Sequence, residues 1–160
     1  MLLDANEPLG KQVAAEIRWK AGETFFLAAD VSDEVQVGAL VDATVEAFGR
    51  LDAATNDAGI TGAIGAIQDF DLEGWMRTLN TNLTGVFLCM KHERRVVQKA
   101  GRGSIVNTSS GVEEMIRASQ PGGRPGTADE IAKSVVWLCS DRSSFVSGAS
   151  LAMDGAAVCR

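Results

Sequence analysis

Tyrosine is absent from this chain of 160 residues, so no phenol is on hand to act as a general acid or base. Histidine occurs once, as His92, within the polar run Lys91-His92-Glu93-Arg94-Arg95. That setting predicts a solvated helical residue rather than a catalytic base. The three cysteines, Cys89, Cys139 and Cys159, have no metal-like spacing, so no metal centre is expected. Cys89 and Cys139 fall in apolar helical stretches, which suits buried free thiols in a reducing cytoplasm. No stretch reaches the roughly 18 apolar residues of a membrane span. The start, Met1-Leu2-Leu3-Asp4, lacks the basic region of a signal peptide, so neither insertion nor export is expected. Positive charge is also short. Fifteen Lys and Arg face 21 Asp and Glu, for a net charge of −6. An acidic surface argues against nucleic acid and anionic membranes as partners, and ordinary solubility accounts for it.

What is present reads as a soluble globular domain spanning 1–160, since 46% of residues are hydrophobic and 22% charged. Met1 to Leu3 is the stub of a strand. Pro8 to Ala21 predicts a helix with Pro in its first turn, Gly22 at its end, and Val13, Ile17 and Ala21 on one face. Thr24 to Ala29 predicts a strand. Ser32 is the expected cap of the next helix, where Val37, Leu40, Val41, Thr44, Val45 and Phe48 recur at helical spacing before Gly49. Ala53 to Asn56 reads as a strand. Asp71 opens a helical region, and Leu83 to Lys99 is helical up to Gly101. Ser104 to Thr108 is a strand. Thr127 and Glu130 form a capping box for a helix buried through Ile131, Val135, Leu138 and Cys139. Ser150 to Met153 is expected to be the last strand. Strands alternating with helices predict a parallel sheet covered on both faces.

Three segments carry chemistry. They are Leu51-Asp52-Ala53-Ala54-Thr55-Asn56-Asp57-Ala58-Gly59, Asn82-Leu83-Thr84-Gly85-Val86-Phe87-Leu88 and Gly103-Ser104-Ile105-Val106-Asn107-Thr108-Ser109-Ser110. In order and spacing they resemble the short-chain dehydrogenase/reductase family. The resemblance runs in two blocks, 1–111 and 113–160. It implies a doubly wound, Rossmann-like α/β fold with a parallel sheet, here incomplete because the family's first and sixth strands have no match. Losing both would leave three fragments of sheet with unpaired edges. The turn Gly59-Ile60-Thr61-Gly62-Ala63-Ile64-Gly65 is not a phosphate loop, because its glycines fall three apart throughout.

The resemblance implies site residues one by one. Asn82 matches the family's catalytic asparagine, and Ser110 the serine that donates to the substrate oxygen, with Ser109 as its rival. Asn56, Ala58 and Gly59 match a motif beside the cofactor's adenosine half, with Asp57 in place of a second asparagine. Asp30 and Val31 match a pair that meets the adenine. Asp4, after the first strand, matches an acid on the adenosine ribose, or else is a solvated residue at a frayed terminus. An acid there favours NAD over NADP, because it accepts from the 2′-OH and repels a 2′-phosphate. The implied reaction interconverts a small-molecule alcohol and a carbonyl by hydride transfer, in a homo-oligomer. The family's Tyr-x-x-x-Lys pair and its Gly-rich cofactor turn have no match. The pair's expected place falls at Gly111 to Glu113. Two expectations therefore stand together: an oxidoreductase, or a non-catalytic remnant that pairs with intact relatives or has no function.

Overall fold

The computed structural model describes residues 1–20, 22–110, 121 and 123–157. The chain divides into two compact units. The first comprises Met1–Asp52 and Ala58–Gly103, and the second Ala53–Asp57 and Ser104–Arg160.

In the first unit, β1 (Leu2–Asp4) pairs in parallel with β2 (Phe26–Ala28), Leu2 opposite Phe26 and Asp4 opposite Ala28. Helix α1 (Glu7–Trp19) joins them. Asn6 caps it by accepting from Leu9 N at 3.1 Å, and Pro8 sits in the first turn, where its missing N–H costs nothing. The predicted face is corrected here. Val13 and Ile17 are more than a third exposed, and the helix instead buries Gly10 and Ala14. Small residues win because the Phe26 ring lies against the helix backbone. A Cβ on Gly10 would stand 2.0 Å from Phe26 Cε2. Ala21, the third residue of the predicted face, lies outside the described residues.

Helix α2 (Glu34–Phe48) carries the core of this unit. Its cap is Asp33 rather than the predicted Ser32. Asp33 accepts from Val35 N at 2.9 Å and Gln36 N at 3.2 Å, while the Ser32 hydroxyl is turned onto Asp30. Val37, Val41 and Thr44 recur at helical spacing and are buried. Gly49 ends the helix at φ 75°, a left-handed conformation that glycine adopts without strain.

A short 3-10 turn at Ile67–Asp69 leads to a long helical run. This is α3 (Leu72–Leu79), a π turn (Asn80–Thr84) and α4 (Gly85–Ala100). Asp71 caps α3, and Gly101 closes α4 at φ 70°. Val31, Val37, Leu88 and Cys89 form the hydrophobic cluster, with Leu3 packed on it. Full burial of a side chain such as Val37 contributes about 1.5–3 kcal/mol. Gly85 lets α4 approach Val31, whose Cγ2 would lie 2.7 Å from an added Cβ.

His92 is a second correction. It is not a solvated residue. Its side chain is only 20% exposed, and its ring packs over Gly38 of α2. Its Nε2 is buried, 3.5 Å from Glu34 Oε1. Lys91 pairs with the same carboxylate, and Arg95 with Asp42 at 2.6 Å. These pairs are exposed and screened by solvent, so they add little to stability.

In the second unit, β3 (Ala53–Asn56) pairs in parallel with β4 (Ser104–Asn107), Ala53 opposite Ser104 and Asn56 opposite Asn107. Helix α5 (Ala128–Leu138) begins at the predicted capping box. Thr127 Oγ1 accepts from Glu130 N at 3.3 Å, and Glu130 Oε2 accepts from Thr127 N at 2.8 Å. Ile131, Val135, Leu138 and Cys139 are half-buried rather than buried. Ser150 to Met153 forms no strand, against expectation. A strand exists only against a neighbour, and no ladder among the described residues pairs this segment. Among the described residues, two two-stranded parallel sheets are thus found where three fragments were expected.

Candidate functional site

In an open parallel sheet, ligands gather at the carboxyl ends of the strands. In the first unit those ends carry Asp4, the last residue of β1, and Asp30 and Val31, just past β2. Asp4 Oδ1 accepts from Asn6 N at 2.7 Å, and Oδ2 has no partner among the described residues. Its main-chain oxygen continues the ladder, accepting from Ala29 N at 3.3 Å. The Asp4 carboxylate is therefore exposed, held by the turn into α1, and able to accept from a ribose hydroxyl. Asp30 Oδ1 accepts from both Ser32 N and Ser32 Oγ at 2.8 Å, which leaves Oδ2 as its open acceptor. The Val31 side chain is spent in the core at 7% exposure, so only its backbone is left for a ligand.

Ala58 and Gly59 are exposed in the stretch after β3 and belong to the first unit. Asn82 lies in the π turn, and its amide clasps the backbone of Ile60. Oδ1 accepts from Ile60 N at 2.8 Å, and Nδ2 donates to Ile60 O at 2.9 Å. Gly59 sits under the clasp, where a Cβ would meet Asn82 Oδ1 at 3.5 Å. The sequence singled out Asn82 by motif, but Ile60 as its partner carried no signal.

In the second unit the strand ends hold a different pair. Asn56 is buried, and its Nδ2 donates to Asn107 Oδ1 at 2.9 Å. Thr108 N extends the ladder by donating to Asn56 O at 2.9 Å. Asn107 was not singled out from sequence, although two asparagines closing adjacent strands were there to find. Ser109 and Ser110 follow β4 and are exposed. Asn82 belongs to the first unit and Ser110 to the second. Gly111 to Glu113, where the resemblance places its missing pair, lie outside the described residues, as does Cys159.

The electrostatics are those of anchored carboxylates. A side-chain bond from Gln36 holds the Asp33 carboxyl below its usual range. The bond from Lys91 does the same for Glu34. Burial, with Glu93 nearby, pushes the Cys89 thiol up to about 11, so it is inert as a nucleophile near neutral pH. Among the described residues no group of three His, Cys, Asp or Glu is placed to hold a metal ion. None of the described helices is long and apolar enough to cross a membrane.

A family model described as enoyl-(acyl carrier protein) reductase matches this chain over residues 1–118 and 110–156. The chain is 31% identical over 216 aligned positions to a short chain dehydrogenase/reductase, astE, of Aspergillus oryzae, covering 96% of this chain and 83% of that protein. It is 32% identical over 207 positions to a 3-alpha-(or 20-beta)-hydroxysteroid dehydrogenase of Mycobacterium bovis, covering 97% and 78%. Both alignments are longer than the chain itself, so these relatives carry stretches with no counterpart here. Among solved structures it resembles an NAD+-bound xylitol dehydrogenase, with a TM-score of 0.88 and 25% identity over 96% of this chain and 87% of that one.

Proposed function

This chain belongs to the short-chain dehydrogenase/reductase family, and we propose that it keeps the adenosine side of a nicotinamide dinucleotide site while lacking the acid for hydride chemistry. In this reading it binds NAD or its adenine-bearing fragments. It does not by itself interconvert an alcohol and a carbonyl. The observation that carries the second half is the absence of tyrosine from all 160 residues. Carbonyl reduction needs a proton delivered to the oxygen as hydride arrives, and the family's donor is a phenol tuned by a lysine. Asn82 cannot replace it, because its amide is committed to Ile60. Ser110 donates a hydrogen bond in this reading but does not titrate.

The residues present fit the adenosine half. The open oxygen of Asp4 suits a ribose 2′-OH and repels a 2′-phosphate, which favours NAD over NADP. The open oxygen of Asp30 and the backbone at Val31 suit the adenine, and Ala58 and Gly59 the rim beside it. When bound, the dinucleotide supplies or accepts the hydride. The chain's own residues here only hold and orient its adenosine. In this reading the protein acts in the cytoplasm, as a homo-oligomer or beside intact relatives, without nucleic acid or membrane partners.

The test uses purified chain whose intact mass matches 16.9 kDa. Calorimetry with NAD+ and AMP is expected to show binding, with NADP+ weaker. Nicotinamide absorbance with a panel of secondary alcohols and ketones is expected to stay at background. Turnover by this chain would overturn the non-catalytic half of the proposal, and failure to bind NAD+ or AMP would overturn the other half.

A further inference from the structure

We propose that Gln36 is a positioning residue for the adenosine half of the dinucleotide, acting through the turn Asp30 to Asp33. This rests on the reading of Asp30 and Val31 given under Proposed function. Gln36 stands in the first turn of α2, and its side-chain amide reaches both ends of the preceding turn. Its Oε1 accepts from Asp30 N at 3.0 Å, and its Nε2 donates to Asp33 Oδ2 at 2.8 Å. In an ordinary capping box the third helical residue returns to the cap's own N–H. Here the cap's N–H is used inside the turn, donating to Asp30 O at 3.1 Å. Gln36 therefore reaches three residues further back, to the amide of the residue that bears the open carboxylate.

Other contacts also hold the turn. Ser32 N and Oγ hold Asp30 Oδ1. Val31 is wedged against Gly85 at the head of α4. The first residue of α2, Glu34, is tied to Lys91 of α4. Gln36 ties the N–H of Asp30. Without it, Asp30 is held through its side chain and its carbonyl but not at its N–H, and a ligand meeting the Asp30 carboxylate and Val31 backbone must order that end of the turn on binding. A plain capping role predicts something else: a small loss of helix stability, with ligand affinity unmoved.

The experiment compares the full chain with Gln36→Met, which keeps the shape and removes both polar ends. Val35→Ala serves as a control, since Val35 is 80% exposed and one residue away. Amide hydrogen exchange in the free protein is expected to show the Asp30 amide exchanging faster in Gln36→Met and unchanged in the control. Calorimetry is expected to show affinity for AMP and NAD+ weakened about three- to tenfold, the worth of a hydrogen bond or two. Gln36→Glu keeps the acceptor for Asp30 N–H but sets a carboxylate against Asp33, and its affinity is expected between those of the wild type and Gln36→Met. It also serves if Gln36→Met fails to fold, a loss of affinity again supporting the inference and wild-type affinity overturning it. If the wild type binds AMP and Gln36→Met binds it equally well, the inference is overturned and the adenosine site stands. If the wild type binds neither AMP nor NAD+, the site itself is refuted and the inference falls with it.

Discussion

Gly10→Ala sets two known effects against each other at one atom. Gly10 lies within α1 and is buried. Replacing a helical glycine by alanine gains about 1 kcal/mol through backbone entropy alone. The added Cβ, however, would stand 2.0, 2.4 and 2.7 Å from Cε2, Cζ and Cδ2 of Phe26. Carbon atoms in contact settle at about 3.5–4.0 Å, so the ring must retreat by roughly 1.5 Å. Overpacking of this kind costs about 1–3 kcal/mol. Phe26 is only half-buried, so its ring has some room to swing, but three ring atoms obstruct together. The expected net loss is about 1 kcal/mol, a fall of about 2–4 °C in Tm for a chain of this size. The decisive comparison is the same substitution in a Phe26→Ala background. With the ring gone only the entropy gain remains, so the sign should reverse and Gly10→Ala should stabilise by about 1 kcal/mol. Thermal and urea unfolding followed by circular dichroism read all four proteins. A stabilising Gly10→Ala in the wild-type background would refute the packing argument, whatever the double variant did.

Asn82→Asp keeps the acceptor for Ile60 N but turns a carboxylate oxygen toward Ile60 O. It is expected to cost about 1–3 kcal/mol at pH 7, more than Asn82→Ala, whose loss leaves Ile60 to water. Urea midpoints of the two variants check this, and the gap should close below about pH 4 as protonation restores a donor. Cys89, with its folded thiol raised to about 11 against 9.0 for an ordinary one, holds its proton more tightly folded than unfolded. Stability is therefore expected to fall as pH rises from about 9 toward 11, and Cys89→Ala to flatten that fall. Labelling of Cys89 at pH 8 as fast as a free thiol would contradict its burial.

Local chemistry was readable from the sequence wherever it acted within a few residues. The spacing of Val37, Val41 and Thr44 and the stop at Gly49 describe α2 as found. The segments at β3 and β4 and the capping box at Thr127 also stand where the sequence places them. What escaped depended on partners far along the chain. Val13 and Ile17 have the periodicity of a buried face, but only the fold reveals that the Phe26 ring wants a helix without side chains. Ser32 and Asp33 are both good caps, and the choice fell to Asp33 because Ser32 was claimed by Asp30. His92 looks solvated among charges until Gly38, on another helix, is seen to leave room for it. Ser150 to Met153 has strand composition, but no strand among the described residues pairs with it. In the site, motif position marked Asn82, Asp4 and Asp30. It could not reveal that the Asn82 amide is bound to Ile60, or that Gln36 braces the Asp30 turn.

The π turn at Asn80–Thr84 has a consequence for how this helix reads as a pattern. A turn of this kind takes one residue more than an α turn, and one residue is about 100° of rotation. The periodicities of α3 and α4 are therefore out of phase, so a stripe traced from Leu72 straight through to Ala100 assigns one half to the wrong side. The offset is a stored insertion. Removing a single residue between Asn80 and Thr84 would restore an unbroken helix and leave Trp75 and Met76 facing as they do now relative to Leu88 and Cys89, because the wide turn already absorbs that residue's rotation of about 100°. It would also pull Asn82 off Ile60. The extra residue thus shifts the sequence stripe without turning either half of the helix, with the clasp at the seam.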